Sequence, residues 1–376
     1  MSGSLCVVMI IQQYYPRIGG AESQVATMAS ALRARDVEVH VFTRRYPNLA
    51  PFELVNQIPV HRLPIPGIKP TASLAFTLAA LPLFRKLKPQ VIHAHELFSP
   101  TTTAIAGKRL IGAPVVTTIH SANEIARLAK KFMGTPRLAE FRKNVDAFIV
   151  INREIEAELA RVGIPPERRV FIPNGVDTAR FTPLCTCERR ALRAALGFGD
   201  APVALYTGRL APEKQLDRLV QIWNQVRVQI PGAQLALVGE GKAETALKIL
   251  AGDGVKFFGA TNDVVPYLRA ADLFVLPSAF EGLSVALLEA LAVGLPALAT
   301  AVGGNVEVIQ HRTNGWLVPA GDVNALRDAL ITLLGDADLR TQMGARARAH
   351  IVRHYDVASV AQKLCAVYER LATRKI

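Results

Sequence analysis

Residues 277–307 read PSAFEGLSVALLEALAVGLPALATAVGGNVE, and their punctuation sets the fold. A loop carrying Glu281 and Gly282 runs into a short helix, with Ser284 placed to cap it. Glu289 lies inside that helix, and Gly294 and Pro296 end it. An apolar strand, Pro296 to Thr300, then leads to the Gly303-Gly304 turn and Glu307. Loop, helix, buried strand and turn in that order make one repeat of a parallel α/β sheet. The same stretch offers a helix N-terminus whose backbone N–H groups suit an anion, with carboxylates on either side that suit hydroxyls. A phosphate flanked by sugars fits this description, as in a nucleotide sugar.

The rhythm extends along the whole chain. Apolar runs predict strands at 5–11, 37–43, 90–93, 114–119, 147–151 and 169–172, with helices at 20–35, 72–87, 99–111 and 153–162 between them. It restarts with strands near 203–208, 234–238, 255–258, 273–276, 296–300 and 316–318, and helices at 214–229, 242–251, 284–293 and 323–334. Two Rossmann-like α/β units follow, divided at the turn-rich Ile172-Pro173-Asn174-Gly175-Val176-Asp177, so that domains of 1–178 and 179–356 are expected. Open α/β sheets bind ligands at the carboxyl ends of their strands, so the chemistry is expected in a cleft where two such units face each other.

Composition agrees with a folded two-domain protein. The chain has 376 residues, half of them apolar, and a mean hydropathy of +0.23. No apolar run is long enough to span a bilayer. The N-terminal MSGSLCVVMIIQQYYP reads as a first core strand rather than a signal peptide. Four scattered cysteines point to a reducing cytoplasm. The net charge of +13 is lopsided: residues 1–180 hold 23 basic against 13 acidic residues, a net of +10, and the remainder nets +3. Basic clusters at Arg85–Lys88 and Arg127–Lys143 fit either a solvated helix face or peripheral contact with an anionic membrane. In the second, Ile125, Leu128, Phe132 and Phe141 alternate with cations as in an interfacial segment. Aromatic residues are too few, and not interleaved with the charges, for nucleic acid.

Several short motifs carry chemistry. Gly208-Arg209-Leu210-Ala211-Pro212-Glu213-Lys214 follows a strand and opens a helix. It is either a plain βα loop with two surface cations or a diphosphate clamp, with Arg209 as a fork and Lys214 as a point charge. Pro16-Arg17-Ile18-Gly19-Gly20-Ala21-Glu22 is the matching loop of the first unit, and its two glycines allow close backbone approach to a ligand. Val238-Gly239-Glu240-Gly241 is half of a dinucleotide fingerprint. Glu244 replaces its third glycine, which disfavours a nicotinamide site but leaves room for a nucleotide. His120 ends a strand at its carboxyl edge. His93-Ala94-His95 imitates a metal pair without a third ligand, and Asp336-Ala337-Asp338 reads as a helix-to-helix turn rather than a metal pair. Cys185-Thr186-Cys187 lacks a partner pair. Spacing alone says little about Glu281 and Glu289, since one glutamate pair eight apart is expected by chance among 18 glutamates.

Taken together and in order, these motifs resemble the retaining glycosyltransferases of the GT-B fold, specifically glycosyltransferase family four. The resemblance runs from Gly19-Gly20-Ala21-Glu22 through His120, Pro173–Asp177, Gly208-Arg209, Glu213-Lys214, Glu281 and Glu289 to Gly303-Gly304, Glu307, Asn314-Gly315 and Pro319. It implies two Rossmann-like domains, with a final helix in about 357–376 packing back on the first. It further implies that Arg209 and Lys214 hold the donor diphosphate and that Glu281 contacts the donor sugar. Backbone N–H groups from Gly282, Leu283, Ser284 and Val285 would approach the phosphates, and Glu289 would bind ribose hydroxyls. His120 would lie beside the transferred sugar, with Gly19 and Gly20 closing over it and Gly208 and Gly239 on the donor side. Gln215 stands where the family commonly has glycine, and Ser121 where Asp or Gly is more usual. The implied activity is metal-independent transfer of a hexose-type sugar from a UDP- or GDP-sugar to an acceptor hydroxyl, with no cofactor. A glycan, a lipid-linked saccharide, a lipid or a small molecule is the expected acceptor, at a cytoplasmic or peripheral membrane location. A nucleotide-sugar epimerase of the same architecture, or a non-catalytic binding subunit, are the competing readings.

Overall fold

A computed structural model of the chain describes residues 4–17, 19–65, 69–121, 123–130 and 134–373. It divides into two compact units, one of residues 1–175 with 357–376 and one of residues 176–356.

The first unit is built on eight strands: β1 (Cys6–Ile10), β2 (Glu38–Arg44), β3 (Phe52–Val55), β4 (Ile58–Leu63), β5 (Val91–His95), β6 (Val115–Ile119), β7 (Ala147–Val150) and β8 (Arg169–Phe171). Their order across the sheet is β3-β4-β2-β1-β5-β6-β7-β8. Every residue of β1, β5, β6 and β7 is buried, as a parallel sheet covered on both faces requires. The hairpin of β3 and β4 is absent from the sequence expectation. Its turn residues, Asn56 and Gln57, both take positive φ (49° and 63°), a geometry usually signalled by Asn-Gly. Pro59 is tolerated because the pairing of β4 with β2 begins only at Val60.

On one face of this sheet the core joins Val7 and Met9 to Val25 and Met28 of the helix Gly20–Arg33, and to Val360, Leu364, Val367 and Tyr368 of the final helix, Val357–Thr373. The side-chain amide of Gln24, oriented to satisfy both partners, meets the backbone N–H and C=O of Gly175 at 3.0 Å each. The last residue of the unit's first segment is thereby fixed. The segment 127–143 forms parts of two helices, Asn123–Ala129 and Gly134–Asn144. Ile125, Leu128 and Phe141 are buried in the unit, so their apolar side is not available to a membrane and the solvated basic face is what remains. Phe132 lies outside the described residues, as do Ile18 and residues 374–376.

The second unit has six strands, β9 (Val203–Thr207), β10 (Gln234–Val238), β11 (Val255–Gly259), β12 (Leu273–Leu276), β13 (Ala297–Thr300) and β14 (Trp316–Val318), all parallel, in the order β11-β10-β9-β12-β13-β14. Each sheet reverses direction once, between β1 and β5 in the first and between β9 and β12 in the second. Ligand sites of such sheets sit at the carboxyl ends flanking that reversal. Among the described residues no helix is long and apolar enough to cross a membrane.

Candidate active site

At the reversal of the second sheet, the loop after β9 meets the loop after β12. Lys214 Nζ lies 2.6 Å from Glu281 Oε1, and the Ser278 hydroxyl donates to the same oxygen at 2.6 Å. The Ala279 N–H donates to the Glu213 carbonyl at 2.9 Å, tying the two backbones together. Ser278 is held in turn, since the Thr300 hydroxyl at the end of β13 donates to its carbonyl at 2.6 Å. Lys214 and Glu281 are largely buried, with side-chain exposures of 19% and 9%, while Arg209 stays 72% exposed and pairs with Glu213 at 2.9 Å. Both expected cations therefore have a carboxylate partner, which the sequence motifs did not reveal.

Ser284 caps the helix Val285–Ala292, its hydroxyl accepting from the Leu287 N–H at 3.3 Å. Leu283 and Ser284 are buried, and Gly282 and Val285 partly so. Glu289 lies in the second turn of this helix. Burial pushes its carboxyl up to about 7, a rise opposed by the Arg180 guanidinium. A carboxyl so poised can donate or accept a hydrogen bond near neutrality.

The glycines of this edge serve packing first. A Cβ on Gly239 (φ 139°) would lie 1.9 Å from the Gly208 carbonyl oxygen, and one on Gly303 (φ 49°) would lie 1.9 Å from that of Glu281. Gly208 and Gly239 thus let two backbone loops touch, and the Gly303-Gly304 turn does the same beneath the Glu281 loop. Gln215 takes a left-handed conformation (φ 50°, ψ 36°). That conformation is a physical reason for the family's preference for glycine at this position.

In the first unit, Gln12 after β1 donates to Glu96 Oε2 after β5 at 2.7 Å. Gly19 precedes the helix Gly20–Arg33, and its N–H donates to Glu22 Oε2 at 2.9 Å. Gly20 is exposed, with nothing within 4 Å of where a Cβ would stand. His120 follows β6 and is half-buried. Its Nε2 is 3.1 Å from His95 Nδ1, and its backbone N–H donates to Glu124 Oε1 at 2.9 Å. Glu124, 3% exposed, also accepts from the Leu97 N–H at 2.9 Å. Burial pushes Glu96 up to about 7, aided by Glu22, and Glu124 likewise to about 7, aided by Glu96. Glu96 and Glu124 carried no motif and went unnoticed in the sequence, although they lie one and five residues past a strand's carboxyl end.

His93 and His95 do not act as a metal pair. His93 Nδ1 lies 2.5 Å from the Tyr368 hydroxyl and its Nε2 2.7 Å from the Thr118 hydroxyl, so both ring nitrogens are engaged. Among the described residues the ligand atoms of Cys6, Glu38 and His40 lie within 4.8 Å of one another. They belong to the first residues of β1 and β2, at the opposite end of the sheet from the loops above. Asp336 caps the helix Ala337–His354, accepting from the Leu339 N–H at 2.8 Å, directly after the helix Val323–Gly335. The acidic pair is thus a helix-to-helix turn. Cys185 and Cys187 have their sulfurs 2.7 Å apart and partner each other.

Residues 188–350 match the family model described as glycosyl transferases group 1, and residues 18–180 match that described as glycosyltransferase family 4. The chain is 30% identical to the phosphatidyl-myo-inositol mannosyltransferase of Mycobacterium leprae, over 94% of each chain. It is 29% identical to a Corynebacterium glutamicum enzyme over 98% of this chain and 99% of that one. The latter is a GDP-mannose-dependent monoacylated alpha-(1-6)-phosphatidylinositol monomannoside mannosyltransferase. The solved structure of sucrose-phosphate synthase from Thermosynechococcus elongatus matches with a TM-score of 0.84 at 25% identity, covering 98% of this chain and 99% of that one.

Proposed function

The chain belongs to glycosyltransferase family four, with the GT-B fold of two Rossmann-like domains and a nucleotide-sugar donor, and from that premise we propose a retaining, metal-independent hexosyltransferase. The observation that carries this reading is the buried Lys214–Glu281 pair at the reversal of the second sheet. Lys214, with two further N–H donors, binds the donor diphosphate, and the exposed fork of Arg209 closes on it. Both stabilise the charge that grows on the leaving nucleoside diphosphate, joined by backbone N–H groups from Gly282 to Val285. Glu281, fixed by its lysine and by Ser278, accepts hydrogen bonds from the donor sugar's hydroxyls. Glu289 takes the ribose, Gly19 and Gly20 lie against the ligand, and His120 contacts the transferred sugar. The donor bond breaks through an oxocarbenium-like state. The acceptor attacks the same face and the leaving phosphate takes its proton, so no divalent metal or other cofactor is required.

The two mannosyltransferase relatives make GDP-mannose the first donor to test and a membrane-borne acceptor the first acceptor class. A surface feature supports peripheral membrane contact from the cytoplasmic side. On the helix Lys69–Leu87, Leu74 and Leu78 are 61% and 56% exposed, and exposed Arg85, Lys86 and Lys88 follow them. Apolar side chains one turn apart with cations at the next turns suit an interface of acyl chains and anionic headgroups. Binding to phosphatidylglycerol vesicles at low salt is expected, weaker at high salt and lost in a Leu74→Asp/Leu78→Asp variant that remains folded. Equal binding by that variant would remove this helix from the proposal.

The function itself is tested by incubating the protein with GDP- and UDP-sugars and acceptor extracts, with and without EDTA, and reading the product's anomeric configuration by NMR. Transfer with retained configuration, unaffected by EDTA, is expected. An inverted product would sink the mechanism, and conversion of the donor to an isomer without any acceptor would reveal an epimerase.

A further inference from the structure

Three imidazoles cluster at the carboxyl ends of β5 and β6. The ring centres of His93 and His95 are 4.2 Å apart, and those of His95 and His120 are 5.4 Å apart and stacked. All three are neutral near pH 7, since burial lowers His93 to about 3, His120 to about 4, and His95 well below its ordinary value. A neutral imidazole carries one N–H and one lone pair, so each contact constrains the next.

A single proton lies between His95 Nδ1 and His120 Nε2, 3.1 Å apart. His95 is 3% exposed, and its Nε2 has no hydrogen-bond partner among the described residues. If the shared proton sat on His120 Nε2, the proton of His95 would sit on that Nε2 as a buried N–H with nothing to receive it. With the shared proton on His95 Nδ1, the unpaired atom is only a bare lone pair. Buried orphan N–H groups are rarer than under-satisfied acceptors, so the second arrangement prevails.

We propose that His95 is a positioning residue that fixes His120 as its Nδ1–H tautomer, so that His120 presents a hydrogen-bond donor to an oxygen of the transferred sugar and has no lone pair left to act as a base. This rests on the reading of His120 as a contact of that sugar. Glu124 keeps the ring in register, because its carboxylate accepts from the backbone N–H groups of both His120 and Ser121, at 2.9 and 3.2 Å. These bonds fix the backbone that carries the ring, and the stacked His95 ring lies against it. His120 in this form does not take the acceptor's proton, so the leaving phosphate is free to accept it, as in the proposed retaining mechanism.

Nitrogen-15 spectra of the full-length protein labelled at histidine report tautomers directly, with His120 assigned by its loss in His120→Gln. In the wild type, His120 is expected as the Nδ1–H form. In His95→Leu it should leave that form, and kcat should fall about tenfold with little change in donor KM, the loss of one oriented hydrogen bond. His95→Asn, whose amide can place an N–H near the position of Nδ1–H, should restore both. A proton on His120 Nε2 in the wild type, or an unchanged tautomer in His95→Leu, would overturn the assignment. Normal turnover in His120→Ala would instead refute the sugar contact, while the spectra alone decide the tautomer.

Discussion

The two sheets are pinned alike at their amino edges and equipped differently at their carboxyl edges. In the first unit, Asp146 accepts from the Val115 N–H at the start of β6 (2.8 Å) and pairs with Lys108 at 2.6 Å. In the second, Asp272 accepts from the Val203 N–H at the start of β9 (2.8 Å) and pairs with Arg189 and Arg193 at 2.6 and 2.8 Å. Both devices lock neighbouring strands and involve none of the proposed ligand contacts. At the reversal points the resemblance ends. The second unit presents formal charge, Lys214 against Glu281, whereas the first presents neutral imidazoles and two carboxyls poised near 7. Fixed charge suits a diphosphate, and neutral donors suit sugar hydroxyls. The scaffold is shared and the chemistry was varied in the loops, as expected when function is carried by sites placed on a fold.

The sharpest way to break this contrast is to remove the charge. Lys214→Met should lower kcat by about 10²–10³-fold, the range seen when a preorganised donor to transition-state charge is lost. It should also destabilise the second unit by about 3 kcal/mol, because Glu281 is left buried without its cation. Single-turnover rates and denaturant melts measure the two effects. A variant that keeps near-normal turnover and binds donor normally would remove Lys214 from its assigned role.

The titration behaviour of the first unit is a second test. The carboxyl of Glu96 is raised from 4.5 to about 7 in the folded state. The unfolded chain ionises first, so the stability this group contributes is full below 4.5 and is lost as pH rises through 7. Glu96→Gln should therefore gain on the wild type by up to a few kcal/mol between those limits and run parallel to it above them. A difference that does not change with pH would show that Glu96 is not protonated in the folded state.

The smallest expected effect concerns Gln215. Its left-handed backbone costs roughly 1 kcal/mol, and its Oε1 is buried without a partner among the described residues. Gln215→Gly relieves both but loosens the unfolded chain, so a net gain of about 0.5 kcal/mol and a rise of about 1–2 °C in Tm are expected. A fall in Tm would mean that the glutamine side chain contributes packing that outweighs the strain.

Most of the architecture was legible because buried parallel strands are apolar at nearly every position, and β1, β9, β10, β12 and β13 announce themselves that way. The β3–β4 hairpin was not, since its turn lacks glycine and its strand contains proline. The segment 127–143 stayed open between two readings because alternation of cations and apolar residues looks the same whether the apolar side meets lipid or a protein core. In the proposed site, Arg209, Lys214, Glu281 and His120 could be named from loops that follow strands, and Glu289 from its place inside the helix that comes next. Their partners could not, since Ser278, Thr300, Glu96, Glu124 and His95 are common residue types in no recognisable spacing.

Sequence alone determined the alternation of strands and helices, the number of units and the residues bearing charge at strand ends, because burial periodicity and loop chemistry are local. Tertiary structure decided which residues meet. The Lys214–Glu281 pair spans 67 positions and the His93–Tyr368 contact 275. Whether a lysine is half of a buried ion pair, or which ring nitrogen of a histidine holds its proton, depends on desolvation and on a partner that only the folded chain supplies.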